Sequence, residues 1–90
     1  MTAASPLKSA DLVKRDPALR QTRFYRLDIW PDLFGGFSLA REYGRIGQGG
    51  RLHITPFKEE QTACQAFERL FRQKTRKGYV PVATLAGLEV

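Results

Sequence analysis

A chain of 90 residues makes one domain that buries only about 60–65% of the surface its unfolded form exposes, so a binding surface is expected rather than a deep catalytic cavity. Its net charge of +6 points to a polyanionic partner. The lone cysteine, Cys64, excludes a disulfide framework and a Cys-based zinc site and fits a reducing cytoplasm.

Residues 1–9 are small, polar and proline-containing, lack the apolar centre of a signal peptide, and read as a disordered lead-in. No later run is long enough to span a bilayer, so the expectation is a soluble cytoplasmic protein, nucleoid-associated if its partner is DNA. Asp11-Leu12-Val13-Lys14 reads as a short first strand, closed by Asp16-Pro17, and Arg20-Gln21-Thr22 as a polar loop. Residues 23–30 alternate, which places Tyr25, Leu27 and Ile29 on one dry face of a strand. Residues 31–36 carry turn chemistry, and residues 37–43 form the returning strand. Four glycines then fall within seven positions, Gly44, Gly47, Gly49 and Gly50, so the chain must turn tightly into a further strand over residues 51–55, ended by Pro56.

The period changes over residues 59–77, where Ala63, Ala66, Phe67, Leu70, Phe71 and Lys74 share one helical face. Glu59 and Glu60 favour the helix start, Gly78 ends it in a left-handed cap, and its stripe covers the Tyr25, Leu27 and Ile29 face. Residues 80–90 are apolar, and three placements stay open: an edge strand, a cover over exposed surface, or a loose end. The organisation is thus a lead-in (1–9), a folded domain (10–79) and a tail (80–90).

Several motifs that would carry chemistry fail on context. Gly44-Arg45-Ile46-Gly47 has the Gly-x-x-Gly of a KH loop but joins strands where that loop joins helices. The glycines also lack the helix that must follow in dinucleotide and phosphate loops. Cys64 borders an apolar stripe, as a small buried hydrophobe does, and His53 reads as a half-buried strand residue, so no nucleophile and base pair forms. Trp30 reads as hairpin packing. No general acid and base pair is evident, so neither an enzyme nor a cofactor, metal or small-molecule substrate is expected.

What does stand out is the central loop, where Tyr43 offers a flat ring and Arg45 a planar charged fork beside bare backbone. Between Arg69 and Lys77 lie Arg69, Arg72, Lys74, Arg76 and Lys77 with no acid among them. Complementing the helix macrodipole explains part of that run, less so Arg76 and Lys77 at its very end.

Arg23-Phe24-Tyr25, Leu33-Phe34-Gly35, the run from Arg41 to Gly47, Gly50, the helix with Ala63, Phe67 and Lys74, and Gly78-Tyr79 together resemble a WGR domain over residues 11–79. That module is named after its Trp-Gly-Arg signature and occurs in poly(ADP-ribose) polymerases and small bacterial proteins. Here Tyr43 stands where the family usually has tryptophan, and Arg20-Gln21-Thr22 replaces an asparagine-rich lead-in. The resemblance implies an α+β fold, an antiparallel sheet of about five strands packed against one long amphipathic helix, and contact with DNA at a strand break. On that basis the partner is nucleic acid, DNA more than RNA, bound by Tyr43, Gly44, Arg45, Arg23, Arg41, Arg51, Lys74, Arg76 and Lys77. The competing reading is a protein-interaction adaptor that presents the same loop to an acidic partner.

Overall fold

The computed structural model describes residues 5–82. Five strands and one helix follow in the order β1 (Lys8–Asp16), β2 (Gln21–Pro31), β3 (Phe37–Arg45), β4 (Arg51–Phe57), α1 (Glu60–Arg76) and β5 (Val80–Pro81). The strands form one antiparallel sheet in the order β4-β3-β2-β1-β5, an α+β architecture with α1 packed on one face. Among the described residues no helix is long and apolar enough to cross a membrane.

The alternation expected in β2 holds: Tyr25, Leu27 and Ile29 are buried, with Leu12 and Leu39 from the neighbouring strands, against Ala63, Ala66 and Phe67 of α1. Leu70, Phe71 and Cys64 are partly buried at the margin of this core. Glu59 caps the helix start in an extended conformation, and Thr62 Oγ1 donates to its carbonyl. At the far end Gly78, at φ +100°, lets its own amide reach Thr75 O and the Tyr79 amide reach Lys74 O, satisfying two terminal carbonyls. This fixes Tyr79 against the sheet beside Lys74.

Several boundaries differ from those the sequence suggested. β1 begins at Lys8, inside the stretch read as a lead-in, because its register with β2 continues to Ile29 and the Leu7 amide donates to Ile29 O. Gln21 and Thr22 belong to β2 rather than to a loop, paired with Asp16 and Arg15. Pro56 does not end β4 but pairs with Ser38 inside it, which an edge strand tolerates because the missing donor would face away from the sheet. Of the tail's three placements, Val80 and Pro81 take the edge strand, beside β1; residues 83–90 and 1–4 lie outside the described part.

Candidate nucleic-acid interface

Cross-strand register arranges the helix-side face of the sheet in rows. Lys14 of β1 lies opposite Arg23 of β2, and Arg23 lies opposite Arg45 of β3, so three cations stand in one row at the sheet's end. One row inward come Leu12, Tyr25, Tyr43 and Arg51, and then Ala10, Leu27, Arg41 and His53. Like charges directly opposite one another destabilise a sheet, so three in line is an arrangement that packing alone does not favour.

The aromatic residues form a continuous stack across the strands. Tyr25 and Tyr43 lie 5.6 Å apart at 13°, and Tyr43 and His53 lie 5.7 Å apart at 8°, with a 3.1 Å hydrogen bond between the Tyr43 hydroxyl and His53 Nε2. Tyr79 meets Tyr25 edge-on, at 6.0 Å and 66°. Because β2 and β4 flank β3 on opposite sides, both faces of the Tyr43 ring are occupied. The free end of the stack is His53, on edge strand β4.

Cations cluster at the buried end of this stack. Lys74 Nζ sits 4.6 Å from the Tyr25 ring centre and 5.9 Å from that of Tyr79, with Lys14 Nζ also 5.9 Å from Tyr79. Burial lowers the Lys74 pKa below the ordinary lysine value, helped by the nearby charges of Lys77, Arg41 and Lys14. Burial likewise raises the Tyr25 hydroxyl, and the Arg41 guanidinium pulls it the other way. A recess opens beside the stack, lined by Arg23, Tyr43, Gly44, Arg45, Gln48, Gly49, Arg51 and Tyr79. Among the described residues no cluster of His, Cys, Asp or Glu is suited to a metal ion.

The sequence-predicted residues divide accordingly. Arg23, Arg45, Arg51, Tyr43 and the Gly44 backbone line the recess, and Arg41, Lys74 and Lys77 lie close by. Arg76 does not join them, because it follows Arg69 and Arg72 along the outward face of α1, away from Lys74. Tyr43 lies in the strand as expected, and its ring stands between those of Tyr25 and His53 rather than open beside the loop. His53, expected to be half-buried, is exposed. The glycines also act differently from the expectation of bare backbone awaiting a ligand: a Cβ on Gly50 would come within 2.8 Å of the Phe24 ring and 3.0 Å of Tyr43 O, and one on Gly44 within 3.0 Å of Gly50 Cα. Gly50 makes room for Phe24 on the sheet's other face, and Gly44 for the backbone of Gly50. Lys14 and His53 join the predicted residues through the strand register, which extends the alternation of β2 to its neighbours, whereas Tyr79 is brought there by the cap at Gly78 that closes α1.

A family model described as WGR domain matches residues 9–85. The uncharacterized protein y4dW of Sinorhizobium fredii is 40% identical over 70 residues, which cover 78% of this chain and 34% of that protein. The chain therefore spans about a third of the length of this relative. No solved structure matches.

Proposed function

The chain belongs to the WGR domain family, a family of nucleic-acid-binding modules, and from that membership we propose that it is a non-enzymatic module that binds DNA at exposed ends. The observation that carries this reading is the row of Lys14, Arg23 and Arg45 beside an aromatic stack whose last ring is open. Arg23 and Arg45 contact backbone phosphates, Lys14, Lys74 and Arg41 add charge at the stack's inner end, and Arg51 flanks the recess. A terminal base or sugar rests on the free face of His53, which Tyr43 holds upright through its hydroxyl. Stacking at an end is favourable because a terminal pair presents a face that an internal pair hides.

The test is titration of the full chain against a blunt linear duplex and a covalently closed circle at several salt concentrations. Arg45→Gln is expected to weaken binding to both forms and reduce the salt slope by about one unit, since one fewer counterion is released. His53→Ala is expected to lose about 1–3 kcal/mol on the linear form alone. Equal wild-type binding to circle and ends, with His53→Ala harmless on both, would refute end recognition. A stoichiometric protein partner that survives nuclease treatment would instead favour the adaptor reading.

A further inference from the structure

The outward face of α1 carries a second basic surface that the end-binding recess does not use. Arg69, Arg72 and Arg76 are exposed and line one shallow depression with Gln73. Their spacing of three and four residues puts them on one side of the helix, whereas Ala63, Phe67 and Lys74 occupy the side that meets the sheet. The rest of this outward stripe, Gln61, Thr62 and Gln65, is uncharged and exposed. The nearby Glu68 is engaged by Lys8, and among the described residues none of the three arginines makes an ion pair.

Helix-dipole complementation does not account for this stripe. The dipole acts within the last turn, where Lys74 and Arg76 already lie, yet Arg69 stands two turns from the helix end. All three residues are arginine, whose planar fork bridges two phosphate oxygens where a lysine offers a point charge. From Arg69 to Arg76 the axis rises about 10.5 Å, close to the width of about 12 Å of a duplex major groove, so the forks can reach phosphates on both groove walls.

We propose that this face of α1 is a second, sequence-independent site for the phosphodiester backbone of duplex DNA, which lets one molecule hold a DNA end in the recess and a separate duplex segment on the helix. The proposal deepens the end-binding reading but rests on its own residues. Arg76, separated from Lys74 by the body of the helix, belongs to this second site.

Bridging by the full chain tests it: a blunt duplex fixed to beads through one end is loaded with protein, and capture of a labelled closed circle from solution is measured. Wild type is expected to capture the circle, with capture falling about 40-fold between about 50 and about 200 mM salt if three phosphates are neutralised. The triple substitution Arg69→Gln, Arg72→Gln, Arg76→Gln is expected to lose at least ten-fold in capture while retaining its affinity for the bead-bound end. Changing the same three positions to lysine should restore much of the capture, since charge returns without the fork. Capture by the glutamine variant equal to wild type, or no capture by a wild type that still binds ends, would overturn the second site and leave end binding standing. Conversely, circle binding that needs the three arginines in a protein indifferent to ends would leave the second site standing and remove the end-binding reading.

Discussion

At one end of β3 the chain turns through residues 32–36, and at the other through residues 46–50. In the first turn the Asp32 carboxylate accepts hydrogen bonds from the amides of Phe34 and Gly36, at 2.8 and 2.7 Å, while the Asp32 amide donates to Gly36 O. Gly35, at φ +85°, completes a loop closed by the Asp32 side chain. The second turn has no such brace. The Ile46 amide reaches across to Thr22 O, the Gln48 amide to Arg45 O, and Gly47 takes φ +91°. Both turns are glycine-rich, yet the first is held from within and the second from the sheet beneath it.

Charge follows the same division. The braced turn carries an acid and displays Leu33 and Phe34, each more than nine-tenths exposed. The open turn stands beside Arg23, Arg45 and Arg51, and a Cβ at Gly49 would meet nothing within 4 Å. Spending no side chain on internal bonding leaves backbone and guanidinium groups free to face a ligand. The comparison teaches that glycine content does not distinguish the two turns; the source of each loop's support does.

The largest expected effect concerns the core both turns depend on. Phe67→Ala should lower unfolding free energy by about 3–5 kcal/mol in denaturant titration, because the fully packed ring is replaced by a cavity between helix and sheet. A small change would mean that the turns do not share this support. Next, Asp32→Ala should cost about 2 kcal/mol by removing a charged acceptor from two amides, with DNA affinity unchanged. If affinity falls in parallel with stability, the two ends are not independent and the contrast drawn above breaks.

Within the open turn, Gly50→Ala should cost about 1–2 kcal/mol through the contact with Phe24 and Tyr43 O, whereas Gly49→Ala should leave thermal unfolding unaltered. Matching costs at the two glycines would show that the turn is held locally after all. The smallest effect is on pH dependence. Because the folded pKa of Lys74 is depressed, its protonated form is disfavoured in the free protein, and stability should rise as pH climbs through that lowered value toward the ordinary 10.5. A bound phosphate favours the protonated form, so DNA affinity should fall over the same window, and Lys74→Arg should flatten the fall. Identical alkaline profiles for wild type and the variant would remove Lys74 from the interface.

Much of the fold was legible because its signals are local. The period-two pattern of Tyr25, Leu27 and Ile29, the helical stripe ending in Lys74, and the cap at Gly78 each depend on residues within a turn or two of one another. Burial of one face follows from such patterns whatever the rest of the chain does. Strand ends were less legible: β1 back to Lys8 and β4 through Pro56 are fixed by pairing with β2 and β3, and a proline tolerated on an edge cannot be told from one that stops a strand.

For the site, the sequence by itself determined that an aromatic residue, arginines and glycines meet at one hairpin, and that basic residues crowd the helix end. Only the tertiary structure decided which of them share a surface. Lys14, Arg23 and Arg45 come from three strands, and the Tyr25, Tyr43 and His53 stack likewise, so their proximity is set by the registers of separate strand pairs, where a shift of one residue would send each side chain to the opposite face. Lys74 and Arg76 are two apart in sequence and point to different sides of a helix, which separates two cations that charge counting had joined.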